Sequence, residues 1–286
     1  MAHFWRVCNN HTITARLLRR IVAGLKNARK TEVVLLGVFT LAGASACQKQ
    51  HPPSQDSAVT TGASSAESIQ EAERLYRERA DLMKVREAIV QLRHAQLRDG
   101  GNYDIAWRLA KCNYYLGSHN ANEGEKENAF REGIEAGKLA VTLQDRKPDG
   151  HFWLGANYGG SAETSTLAGL AEVEDIKREM EIVIKLDEKY EGGSAYMVLG
   201  QTFLEAPLLL GGDREKAVKY LEKGLRLGPK NALLRAHLAE AYLAVNRKEE
   251  ARREIDAIFK MKPDPDYLPE YDDAVALARK LQAKLK

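Results

Sequence analysis

The chain has 286 residues, with 43 Lys and Arg against 40 Asp and Glu and a formal net charge of +3. Of its three cysteines only Cys112 lies in the part expected to fold, which excludes a disulfide-built scaffold, and the small charge excess is no footprint for nucleic acid. No His-Glu-x-x-His, Cys-x-x-Cys, Gly-x-Ser-x-Gly or phosphate-loop spacing occurs, so no metal, acyl-transfer or nucleotide site is recognisable.

Residues 1–46 read as an export leader. The apolar run Val33–Ala42 follows Arg29 and Lys30 and ends in Gly43-Ala44-Ser45-Ala46-Cys47. A basic region, a short apolar core and small residues make a secretory signal. From Val33 to Ala46 the stretch has 14 residues, short of the roughly 20 that cross a bilayer. A cysteine directly after small residues resembles the bacterial lipoprotein box, which makes Cys47 the expected lipid-bearing first residue of the mature chain. The alternative is ordinary cleavage near Ala46, with Cys47 a bystander. Gln48 follows rather than Asp; by resemblance to enteric lipoproteins that favours the outer membrane. Without the leader the net charge becomes −3. The basic character, Arg16, Arg19 and Arg20 included, therefore belongs to the exported segment and implies no nucleic-acid partner. Residues 47–66 are polar and rich in Pro, Ser, Thr and Gly, the composition of a tether.

The segment 67–286 reads as helical pairs. Residues 67–100 carry Leu75, Ala88, Leu92 and Ala95 and turn at Asp99-Gly100-Gly101. Residues 103–148 open with Ala106-Trp107-Arg108-Leu109-Ala110 and close at Pro148; their extra length is expected in the polar stretch Ser118–Asn128. Residues 149–188 open with His151-Phe152-Trp153-Leu154-Gly155, with Ile176, Met180 and Val183 on the second helix and an expected insertion at 160–168. The unit 194–229 has Leu199, Gly200 and Phe203, then Gly212-Asp213, then Ala217, Leu221, Gly224 and Pro229. In 231–263, Leu238, Ala239 and Tyr242 are followed by a turn at Asn246 and by Ala251, Ile255, Ile258 and Pro263. Leu268–Lys286 forms one more helix, polar on its outer face, as a terminal cap must be.

Ala217, Leu221 and Pro229 recur as Ala251, Ile255 and Pro263, each 34 residues on. That is the period of the tetratricopeptide repeat (TPR), a helix-turn-helix unit that buries its apolar face only by stacking on neighbours. The expected fold class is all-α: a right-handed α-solenoid of about five TPR-like units with a C-terminal capping helix.

Inner helices of such a stack line its concave side. By register, that face contains Arg77, Trp107, Lys111, Tyr114, Tyr115, Phe152, Ala156, Met197 and Gln201, an aromatic and charged mixture suited to a partner or ligand groove. The large apolar members could equally pack against the next helix. The run Ala206-Pro207-Leu208-Leu209-Leu210 either folds back on the adjacent repeat or forms a contact site, since exposed leucines are costly. His151 and His237 read as packing or groove residues. The Gly-Gly pairs at 159–160, 192–193 and 211–212 read as helix ends, Cys112 as a packed thiol, and Glu172, Glu174, Asp175 and Glu179 as a solvated face. No cofactor, metal or catalytic group is expected.

Glu205-Ala206-Pro207 leading to Gly211-Gly212-Asp213-Arg214-Glu215-Lys216-Ala217, with His151-Phe152-Trp153-Leu154-Gly155 upstream, resembles bacterial TPR lipoproteins. Over roughly 70–265 the chain is similar to the periplasmic T-component of TRAP-type transporter systems. That resemblance implies pairing with a solute-binding P-component and a ligand-sized cavity through the helical stack. Two functions follow. The first is a non-catalytic, lipid-anchored TPR scaffold in the bacterial envelope that binds a periplasmic or envelope protein. The alternative is a transporter accessory that binds a small hydrophobic ligand.

Overall fold

The computed structural model describes residues 64–164 and 166–285; the leader, Cys47 and the tether to residue 63 lie outside the described residues. The described residues form eleven α-helices and no strand: α1 (Ser65–Arg77), α2 (Leu82–Arg98), α3 (Tyr103–His119), α4 (Glu123–Leu143), α5 (Pro148–Thr164), α6 (Thr166–Leu186), α7 (Ser194–Glu205), α8 (Arg214–Leu227), α9 (Ala232–Ala244), α10 (Lys248–Lys260) and α11 (Leu268–Ala283). Capping side chains divide the apolar sequence into these pieces. Ser64 and Glu67 make a reciprocal capping box at α1, and Asp81, Asn102, Asn122, Asp213 and Asn231 each accept a first-turn amide. Each satisfies a donor the helix cannot use, worth about 1 kcal/mol. Asn246 takes φ 62° after α9, the left-handed turn expected there.

Successive helices pack as pairs, and the first helix of each pair also touches the first helix of the next: α1 on α3, α3 on α5, α5 on α7, α7 on α9 and α9 on α11. This is the α-solenoid pattern. Its apolar core is segmented along the stack. Leu75, Val85, Leu92, Ile105 and Leu109 fill the first part, and Phe152, Met180, Val183, Leu199 and Phe203 the middle. Leu221, Leu234, Leu238, Ile255 and Ile258 fill the last, together with Leu277 and Leu281 of α11. Burying those two leucines is worth about 2 kcal/mol each, which holds α11 on the stack.

Several local expectations are corrected. The extra length of the second and third units is not loop. Only residues 120–122 separate α3 from α4, and α5 runs through Thr164 to meet α6 at Thr166. The added residues instead lengthen α4 and α6 to 21 residues each. Gly159 and Gly160 therefore lie inside α5, where a Cβ on Gly160 would come 2.1 Å from the Phe130 ring; this is close helix packing rather than a helix end. Where the 190–193 link crosses the end of α8, a Cβ on Gly228 would meet the Gly192 carbonyl oxygen at 1.9 Å, so only glycine fits. Leu208 and Leu209 do not fold back. They stand 86% and 97% exposed on a single 3-10 turn, while Lys177 Nζ donates to the Leu210 carbonyl behind them at 3.3 Å.

The acidic face of α6 is also not uniformly solvated. Glu179 is buried, with Oε2 2.6 Å from His151 Nδ1. His151 Nε2 lies 2.9 Å from the Asp145 carbonyl, so both ring nitrogens face acceptors. Burial alone would favour the neutral ring, but Glu179 and the Asp145 carbonyl hold the His151 pKa above its ordinary value. Glu172 is partly buried, and although it accepts from Ser161 Oγ at 3.0 Å, burial lifts its carboxyl to about 7. A carboxyl whose pKa is raised on folding gives stability that is complete below its unfolded pKa, falls between the two values and is lost above the folded one. Glu172→Gln should therefore stabilise the protein above pH 7 by about 1 kcal/mol, after discounting for partial exposure, and do little at pH 4, below the unfolded value of 4.5. Urea unfolding at the two pH values checks this. Cys112 is a packed thiol, 3% exposed, and burial pushes it up to about 12.

Candidate functional site

The concave side is not an open groove. The chain's last helix reaches back to its first units, and between them lies a cavity of about 1450 Å³ that is partly open to solvent. The closing contacts begin at Arg79, in the α1–α2 link. Its Nε and Nη2 donate to the two Glu270 carboxylate oxygens at 3.0 and 2.7 Å, and Nη2 also donates to the Asp266 carbonyl. The guanidinium is 5% exposed and lies 5.1 Å from the Tyr76 ring centroid and 5.8 Å from that of Tyr115. Beside it, His119 spans the Tyr115 carbonyl at 3.0 Å and Asp273 Oδ2 at 3.1 Å, its ring stacked on Tyr115 with centroids 4.0 Å apart. Tyr267 Oη donates to Glu191 Oε2 at 3.1 Å, closing the turn before α11 onto the α6–α7 link.

The walls differ in character. One is aromatic: Tyr114 and Trp153 have ring centroids 5.7 Å apart, Phe152 meets Trp153 edge-on at 5.0 Å, and Phe130 lies 6.3 Å from Tyr114. Such contacts hold the rings in fixed geometry and leave an apolar surface toward the cavity. Burial pushes the Tyr114 and Tyr115 hydroxyls well above their ordinary pKa, so both stay protonated. The opposite wall, from 228–233, 261–267 and α11, mixes Leu233, Met261, Tyr271 and Leu277 with Lys230, Lys262 and Lys280.

Of the residues expected in the groove, Tyr114, Tyr115, Phe152, Ala156 and Met197 come together in the lining. The others lie elsewhere. Arg77 is exposed on α1. Trp107 lies beneath the Arg108 guanidinium at 4.0 Å, and Lys111 sits 4.3 Å from the Tyr76 ring centroid and 4.0 Å from Glu73, off the cavity. Gln201 is buried behind the wall, with Nε2 3.0–3.1 Å from both nitrogens of His237, which does line the cavity. Sequence reasoning missed Tyr76, Phe130, Trp153 and all of the α11 contribution. Trp153 stood in the quoted motif beside Phe152. Glu270, Asp273 and Lys280 share one α11 face by helical spacing, the one signal in the sequence for this wall.

Among the described residues no group of three His, Cys, Asp or Glu side chains is placed to hold a metal ion, and no helix is long and apolar enough to cross a membrane. The arrangement is suited to enclosing a small molecule that presents an apolar face to the aromatic wall.

A family model described as TRAP transporter T-component matches residues 102–286. No curated protein matches the chain. Among solved structures the chain is similar to TTC0263, a thermophilic TPR protein from Thermus thermophilus, at 20% identity and TM-score 0.56, over 74% of this chain and 100% of that one. It is also similar to MamA, at 17% identity and TM-score 0.44, over 77% and 94% of the respective chains. At these identities the first likeness supports the TPR-type fold and nothing finer.

Proposed function

Because this chain belongs to the TRAP transporter T-component family, we propose that it is the accessory envelope component of a TRAP-type uptake system and that its cavity holds a small hydrophobic ligand. The observation that carries this reading is the closure through Arg79 and Glu270. A peptide-binding TPR groove is open along its concave side, whereas this one is spanned by the chain's own last helix. At about 1450 Å³ the space exceeds the roughly 300–1,000 Å³ of an ordinary small-molecule site. The ligand enclosed is therefore a sizeable one, or a smaller one held with water at the lysine-bearing wall. The role is binding, with no catalytic step assigned.

The test is fluorescence titration of the full-length protein with N-phenyl-1-naphthylamine, a neutral apolar probe that brightens out of water. Saturable binding to one site per chain supports the reading; a linear, non-saturating signal sinks it.

The partner that fits an accessory of this family is a periplasmic solute-binding protein. The second reading, a scaffold that docks an envelope protein, is favoured by the TPR-like fold and by the turn that presents Leu208 and Leu209 to solvent. In either reading Cys47 carries the lipid that holds the protein to the membrane, by preference the outer one. Replacing Cys47 with serine should move the protein from the membrane to the soluble fraction on cell fractionation. Retention in the membrane would remove the lipid anchor.

A further inference from the structure

We propose that the contact between α11 and the first two helical pairs is the door of the cavity, latched by Arg79 on Glu270 and by His119 on Asp273. This rests on the cavity being the ligand site, and it adds where the ligand passes. The ring formed by the stack is not uniform. Along its length neighbouring apolar clusters meet at shared, partly buried side chains: Trp153 packs against both the first and the middle cluster, and Leu204 against both the middle and the last. Across the closing contact no such shared side chain is found among the described residues: none packs against both the core that includes Ala274, Leu277, Ala278 and Leu281 and the one that includes Leu75, Leu92 and Leu109. What joins the two sides is polar, namely the bidentate Arg79–Glu270 pair, the Asp266 carbonyl on Arg79, and His119 on Asp273.

A solenoid bends by small rotations spread over its repeats, and each unit holds only its neighbours. Opening at the polar contact exposes little apolar surface and lets water replace the broken hydrogen bonds, whereas opening anywhere else tears a packed core. The contact is also aimed at the cavity. Tyr76, Tyr115, His119, Tyr267, Glu270 and Asp273 all line it, so parting the two sides widens access to the interior along the whole of that edge. Arg79 sets the bias toward closure. Its guanidinium is buried against two aromatic rings, and with Glu270 removed it is left short of its acceptor and drawn toward water.

The test uses the full-length protein and the double variant Glu270→Ala with Asp273→Ala, whose side chains lie at the polar edge of α11 and leave its buried face intact. Two readouts are taken. The first is acrylamide quenching of Trp153 in a background carrying Trp5→Phe and Trp107→Phe, which leaves Trp153 as the remaining tryptophan; it needs no ligand. The second is stopped-flow association and dissociation of N-phenyl-1-naphthylamine. The double variant should raise the quenching constant several-fold and speed probe dissociation by about tenfold, as expected when the open form becomes more populated. The charge-swapped variant Arg79→Glu with Glu270→Arg should return both readouts toward wild type. Unchanged quenching with circular dichroism intact overturns the door, and so does an unchanged dissociation rate in a protein that binds the probe. A wild type that binds no probe defeats the ligand reading alone, and quenching still decides whether the contact opens the cavity.

Discussion

Replacing His151 by alanine is expected to lower the stability of the protein by about 3 kcal/mol, the largest single-site effect among the polar residues. The ring bridges Glu179 on α6 and the Asp145 carbonyl ahead of α5, and both side chains of the pair are about 5% exposed. Alanine leaves a cavity and strands one oxygen of a buried carboxylate. Glu179 keeps Arg178, whose Nε and Nη2 lie 3.0 and 2.9 Å from the other oxygen, so the loss stays at the lower end of what breaking a buried pair costs. The pH dependence has a definite sign. His151 has a folded pKa raised above its unfolded value. Its contribution is therefore complete below pH ~6.5 and is lost as pH rises through the folded value. Thermal melts of wild type and His151→Ala should differ by about 10 °C at pH 6 and by clearly less in alkaline buffer, where the cavity and the stranded oxygen still cost stability but the charge pairing is gone. A constant gap from pH 6 to 9 would rule out the imidazolium.

The second large effect separates two tryptophans. Trp153 lines the cavity between Tyr114 and Phe152, while Trp107 lies outside it beneath Arg108. Trp153→Ala removes the largest apolar surface of the aromatic wall and should weaken N-phenyl-1-naphthylamine binding by about 2 kcal/mol, roughly thirtyfold. Trp107→Ala should leave the affinity within about twofold, because Trp107 packs beside Tyr103, Ala106 and Ala140, away from the cavity lining. Both variants are compared at 20 °C, below the melting range, with circular dichroism as the check on folding. Equal losses in the two, or a loss confined to Trp107→Ala, would place the ligand on the outside of the stack.

The repeat architecture is legible because it is written locally. The recurrence of Ala217, Leu221 and Pro229 as Ala251, Ile255 and Pro263 maps directly onto α8 and α10 with their following turns, and Asn246 marks the turn between α9 and α10. The cavity is half legible for the same reason. Tyr114, Tyr115, Phe152, Ala156 and Met197 follow from which helix of each pair faces inward. Trp107 and Lys111 begin on the same helix as Tyr114, yet a few residues' displacement along α3 takes them past the edge of the space. The closure is not legible at all. Arg79 and Glu270 are 191 residues apart, one in a short link and the other on a helix whose polar face looks like any solvated cap. His151 and Glu179 show the same limit over 28 residues: an acid in a run with Lys177 and Arg178 reads as surface until the fold supplies its partner. Patterns of period 3.6 report which face is buried, whereas the partner of a charged side chain depends on how the whole stack curves.

Native mass spectrometry of the freshly purified full-length protein decides whether the enclosed space is a ligand site. A single small-molecule adduct per chain is expected, displaced by N-phenyl-1-naphthylamine and lost from Trp153→Ala. The bare chain mass in the wild type, together with no saturable probe binding, would contradict it.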